Sequence, residues 1–146
     1  MLVFDTNVLL HAADERSDLG LVCRQRLDDA RGDAAPAFLT WSVCYEFLRV
    51  STHARAFRSP WTASAAWGFI ERLLAAPGFE VLVATPRHGA VLAQTLAELP
   101  EFRGNVMHDL HTAVLMREHG VSRICPRDRD FRRISFLRVL DPLGER

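Results

Sequence analysis

The chain opens on "MLVFDTNVLL", an apolar run broken by Asp5, Thr6 and Asn7. Residues 2–4 read as a short buried strand. The apolar positions that resume at Val8 predict a helix over 8–13. The same switch of period recurs along the chain. Leu19, Val22, Cys23 and Leu27 form a helical stripe within 18–30, which runs out into the polar stretch Arg31, Gly32, Asp33. "PAFLTW" reads as a second strand, and helices follow over 42–51 and 61–76, the latter stopped by Pro77 and Gly78. "FEVLVAT" is a third strand, Pro86 helps to start a helix over 86–99, and "PEFRG" loops into a helix over 106–119 that Gly120 closes. A strand at "SRICP", a charged turn "RDRDF" and a last strand over 138–140 complete the pattern. Strand and helix periods alternating in this way predict an α/β fold: a three-layer α/β/α sandwich about a mainly parallel central sheet.

With 146 residues, the chain is expected to fold as one domain over 1–146, and 49% apolar with 25% charged residues places it among ordinary globular sequences. No apolar run approaches the roughly 18 residues of a membrane span. Asp5 stands where a signal peptide would carry basic and then apolar residues, so a cytoplasmic protein without a membrane partner is expected. Cys23, Cys44 and Cys125 are widely spaced among apolar neighbours, which suits reduced core side chains better than disulfides or a zinc site. The 18 basic residues balance the 18 acidic ones, and every basic residue is Arg. The lack of Lys excludes Schiff-base chemistry, the Walker phosphate loop and receiver-type acidic pockets, all of which need one.

Acids from four segments call for a partner. Asp5 falls at the carboxyl end of the first strand, where parallel sheets gather ligands, although an acid there also suits a helix N-cap. Asp128 and Asp130 follow the "SRICP" strand at the equivalent place; their bland alternative is a solvated turn alternating with Arg127 and Arg129. Glu46 lies among Val43, Tyr45, Phe47 and Val50; no Ser or Thr stands three residues before it to make a capping box, leaving burial or an ion pair with Arg49. Asp109 sits early in a helix whose Leu110, Ala113 and Val114 mark it as buried, with Asn105 available as its cap. Carboxylates from four segments brought to one end of a sheet repel each other unless a cation lies between them. Oxygen ligands without paired Cys or His favour Mg²⁺, with Mn²⁺ able to substitute.

On these residues the chain resembles the PIN-domain family, and within it the VapC-like toxins of bacterial type II toxin–antitoxin systems. "FDTN", "YEFLRV", the Asp109 helix and "RDRDF" are similar to the family's four acidic motifs, in order and over nearly the whole chain. The resemblance implies an endoribonuclease with Asp5, Glu46, Asp109 and Asp128 as its catalytic, metal-binding acids. Thr6 and Asn7 would support them, and Asp130 is a possible fifth contributor. It also implies metal-activated water attacking RNA in line, to leave a 5′-phosphate and a 3′-hydroxyl. Pro126 stands where the family usually has Thr or Ser, so a hydroxyl that helps to orient the fourth acid is missing.

Arg49 and His53 on one side, and Arg127 and Arg129 on the other, make a candidate basic rim for RNA; Arg55, Arg58, Arg132 and Arg133 extend it. Trp41, Trp61 and Trp67 are expected in the core rather than stacked on bases. His108, Asp109 and His111 superficially suggest an HD-type phosphohydrolase, but that site needs a largely helical fold, so His111 and His119 are expected as surface or core residues. A cognate antitoxin and a homodimer are implied by the resemblance alone. The competing function is a PIN-like module that binds RNA or protein without cutting.

Overall fold

The computed structural model describes residues 1–126 and 130–144. Its strands are β1 (Leu2–Phe4), β2 (Ala37–Thr40), β3 (Phe79–Leu82), β4 (Arg123–Cys125) and β5 (Arg138–Val139). Its helices are α1 (Thr6–Ala13), α2 (Gly20–Gly32), α3 (Trp41–Ser51), α4 (Ala63–Leu74), α5 (His88–Glu98) and α6 (Val106–Glu118), with a 3-10 turn over Asp130–Arg133. The five strands form one sheet in the order β3-β2-β1-β4-β5, and every pairing is parallel.

Strand alternation builds two cores from one sheet. Phe4 and Leu39 point into a cluster with Val8, Leu27, Phe47 and Ile70 from α1 to α4. Val3 and Phe38 point the other way, against Leu110, Val114 and Phe131 from α6 and the 3-10 turn. Helices therefore cover both faces, as the sequence pattern predicts. All three cysteines are buried, and none is in a disulfide.

The chain runs outward from β1 to β2 and β3, then returns to the far side of β1 for β4. That reversal leaves a crevice beyond the carboxyl ends of β1 and β4, where open α/β sheets bind ligands. The two strand ends are tied directly: the Asp5 N–H donates to the Cys125 carbonyl at 3.2 Å. Several predicted boundaries shift. β3 stops at Leu82 rather than running to Thr85, and α4 covers only Ala63–Leu74 of the predicted 61–76. Trp61, left outside α4, meets Phe47 and Phe57 edge-on, as a core residue should. Trp41 and Trp67 depart from expectation: they are 44% and 39% exposed, because their helices turn other faces to the core.

Thr85 leaves the sheet for a partner on α6. Glu118, whose side chain is 0% exposed, accepts from both the N–H and the hydroxyl of Thr85 and is bonded to His88 Nδ1. Burial, the largest single influence, raises the Glu118 pKa; the bonds from Thr85 and His88 together outweigh it and hold the carboxyl down to about 2. A depressed carboxylate stabilises the fold above its unfolded pKa, and that contribution disappears as pH falls through the folded one. Glu118→Gln is therefore expected to lower stability at neutral pH. It should also flatten the fall in urea midpoint between about pH 4.5, the ordinary Glu value, and about pH 2. An unchanged acid profile in this variant would show that the clasp contributes nothing to folding.

Candidate active site

Asp5 follows β1 directly and is only 7% exposed. It occupies the N-cap position of α1 with an extended backbone, yet its side chain makes no capping bond. Capping, the plain alternative for this acid, therefore does not explain it. The next residue fixes a second acid: Thr6, itself buried, donates its hydroxyl to Glu46 Oε2 at 3.0 Å.

Glu46 rides on α3, whose start is set by Thr40; the Thr40 hydroxyl accepts from the Val43 N–H at 3.2 Å. Val43, Cys44 and Phe47 face the core and so orient the helix. Glu46 is less buried than its apolar neighbours suggest. Its side chain is 43% exposed, and Oε1 lies 3.6 Å from an Arg49 nitrogen. Of the two alternatives weighed in the sequence, the Arg49 pair is present, whereas Glu46 is partly exposed rather than buried. Such an exposed pair contributes only tenths of a kcal/mol, roughly, to stability.

Asp109 lies in the first turn of α6 and is half-buried, where the helix dipole favours an acid. Asn105 occupies the cap position of α6 but makes no side-chain capping bond. Asp130 begins the 3-10 turn, with Oδ1 3.8 Å from an Arg133 nitrogen. Asp5, Glu46, Asp109 and Asp130, from four separate segments, line one cleft of about 600 Å³ together with Thr6, Asn7 and Arg49. Asp128, Arg127 and Arg129 lie outside the described residues. His53 is exposed, accepts from the Arg55 N–H at 3.1 Å, and is not among the cleft's described lining residues.

Ser42, Tyr45, Asn105, His108 and Thr112 also line the cleft and were not singled out as site residues by the sequence pattern, His108 having been weighed only for a different site. Helical spacing carried the signal. Ser42 stands four residues before Glu46, Asn105 four before Asp109, and Thr112 three after it.

The donors fit a hard divalent cation. The cleft offers carboxylates, hydroxyls and amides, while burial pushes the Cys44 and Cys125 thiols up to about 11 and about 12, so neither supplies a thiolate. Among the described residues, no three His, Cys, Asp or Glu side chains form a group that could hold an ion. Mg²⁺ does not require one, since it is usually held by one or two carboxylates with waters and substrate phosphate completing its shell. Among the described residues, no helix is long and apolar enough to cross a membrane.

Comparison with known proteins gives the same reading of the fold. The PIN domain family model matches residues 2–137. Ribonuclease VapC48 of Mycobacterium tuberculosis is 30% identical over 141 residues, covering 97% of either chain. Ribonuclease VapC43 of the same organism is 34% identical over 145 residues, 98% of this chain and 96% of that one. Among solved structures, VapBC2 from Rickettsia felis, bound to a DNA fragment from their promoter, aligns with a TM-score of 0.67 at 14% identity over 94% of this chain and 96% of that chain. On these matches the chain belongs to the PIN-domain family, in its VapC-like branch.

Proposed function

We propose that this chain is the ribonuclease toxin of a toxin–antitoxin pair, hydrolysing RNA phosphodiester bonds in the acidic cleft with Mg²⁺, for which Mn²⁺ can substitute. The observation that carries the reading is the convergence of Asp5, Glu46, Asp109 and Asp130 at the reversal between β1 and β4. Asp5 and Asp109 are the proposed direct holders of the ion, and Asp128 is the proposed fourth acid, with Asp130 beside it. A divalent ion bound there supplies the positive charge that makes a water acidic enough to attack at neutral pH and offsets charge building on the phosphate.

The protein's own groups divide the remaining work. Glu46 keeps one oxygen on the Thr6 hydroxyl and turns the other toward Arg49, a geometry suited to orienting the attacking water. Asn7 lines the same wall. Arg49 offers its guanidinium to a neighbouring phosphate, and His53, Arg127 and Arg129 are the proposed continuation of that rim. Tyr45, 70% exposed at the cleft mouth, presents a ring on which an unpaired base can stack. In-line attack leaves a 5′-phosphate and a 3′-hydroxyl.

The relatives' names support the ribonuclease, and the VapBC2 structure supports an antitoxin partner. That partner is expected to cover apolar side chains such as Leu21 on α2 and Trp67 on α4, both exposed, and to place a basic group in the cleft. A homodimer is part of the same proposal. The exposed Leu96 on α5 is an apolar contact available to it.

Four outcomes test the reading. Purified protein is expected to cut a mixed tRNA and rRNA pool with Mg²⁺ or Mn²⁺ and to stop with EDTA. Asp5→Asn should lower the rate at least about 100-fold, given that losing only an outer partner of a metal ligand costs about 10–100-fold. Binding without cleavage by wild type would instead favour the non-catalytic module. Thr6→Val keeps the shape and removes the bond to Glu46; it should cost about 1 kcal/mol in urea denaturation and lower kcat more than it changes KM. In an Asp5→Asn background, Arg49→Ala is expected to reduce the salt dependence of single-stranded RNA affinity by roughly 0.7 in log–log slope, the share of one phosphate contact.

A further inference from the structure

The contact between α3 and α6 that bounds the cleft passes through a chain of polar side chains. His111 Nδ1 lies 3.1 Å from Ser42 Oγ, and Ser42 Oγ lies 2.9 Å from Thr40 Oγ1, the hydroxyl that caps α3. On its other side, His111 meets the His88 ring edge-on with centroids 5.7 Å apart. His88 Nδ1 is in turn 2.5 Å from Glu118 Oε2, and Glu118 Oε1 accepts from the Thr85 N–H at 2.9 Å. The path runs from the first residues of α3, across α6, to the segment joining β3 to α5.

Its position matters because each helix carries an acid of the cleft. Ser42 precedes Glu46 by one helical turn, and both line the cleft. His111 follows Asp109 by two residues on a rigid helix, so fixing His111 fixes the height and rotation of Asp109. Glu46 and Asp109 carry like charge and tend to push α3 and α6 apart. A bond between the helices beside these acids opposes that repulsion.

We propose that His111 is a positioning residue: through Ser42 it holds α3 and α6 at the spacing at which Glu46 and Asp109 serve one divalent cation, while the His88–Glu118 clasp holds His111. This rests on the metal-dependent reading of the cleft. The bond joins residues 69 apart in sequence, and it acts on the metal site through helix placement rather than through contact with the ion.

The test is Mn²⁺ binding to the full chain without RNA, read from the electron paramagnetic resonance signal of free Mn²⁺, with melting temperature measured in parallel. His111→Ala and Ser42→Ala are each expected to weaken Mn²⁺ binding about tenfold, the lower end of what outer partners of metal ligands contribute. The double variant should bind no worse than either single one, because both remove the same bond. His111→Asn, whose amide falls near the lost Nδ1, should recover most of the affinity. RNA cleavage by these variants should return toward the wild-type rate at saturating Mn²⁺.

A lowered melting temperature with unchanged Mn²⁺ affinity would reduce His111 to a structural role and overturn the proposal. Additive losses in the double variant would overturn it as well. Should His111→Ala fail to fold, Ser42→Ala and His111→Asn carry the same comparison. Wild type that binds Mn²⁺ and cuts RNA beside variants that bind equally well would sink only this inference. Wild type that neither binds the ion nor cuts RNA would sink the ribonuclease reading too.

Discussion

A carboxylate at the end of a buried parallel strand is the constraint around which the rest of this molecule is arranged. Asp5 is nearly sealed from solvent, and an ionised side chain in such a place costs several kcal/mol, roughly, unless charge or hydrogen bonds compensate. Its backbone N–H is bonded to the Cys125 carbonyl, which holds the residue at the join between β1 and β4. The sheet order then brings further acids to the same place, with Arg49 also lining the cleft. Helix capping does not account for that gathering of acids, and the proposed divalent ion would offset their mutual repulsion.

Packing converts this topology into side-chain placement. Phe47 is fully buried, stacked on Phe69 at 5.0 Å and met edge-on by Trp61, and it is the residue after Glu46. The aromatic cluster therefore sets the rotation of α3, and with it the direction in which Glu46 projects. On the opposite face, Leu110 is buried beside Asp109 and does the same for α6. Each acid stands next in sequence to a side chain the core holds tightly, so the cleft inherits its rigidity from the two cores.

How far this was legible in the sequence follows from the range of the interactions involved. The strands and helices announced themselves through local period, and Asp5, Glu46 and Asp109 through breaking an apolar context. Asp130 was visible because it follows a strand end. β3 ended early because Val83 and Ala84 are exposed and Thr85 bonds to Glu118, a partner that no local window contains. The Ser42–His111 bond was hidden for the same reason. Trp41 and Tyr45 are a different case. Val43 and Phe47 set the buried face of α3, which turns positions 41, 45 and 49 outward, so helical phase outweighs the hydrophobicity of the two aromatics.

That outward row gives Arg49 a particular place in the proposed chemistry. It pairs with Glu46 at 3.6 Å, but its side chain is 68% exposed, and a pair of this kind is held by little more than roughly 0.2–1 kcal/mol. The guanidinium can therefore exchange a carboxylate oxygen for a phosphate oxygen at small cost. Glu46 does not swing away when it does so, because Thr6 retains its other oxygen. A Lys at this position would present a more strongly hydrated point charge without the planar fork that matches phosphate. The acid is thus fixed from beneath by a buried hydroxyl and screened from above by a cation free to move. This arrangement lets a negatively charged backbone approach a negatively charged cleft while the groups proposed to act on it stay in place.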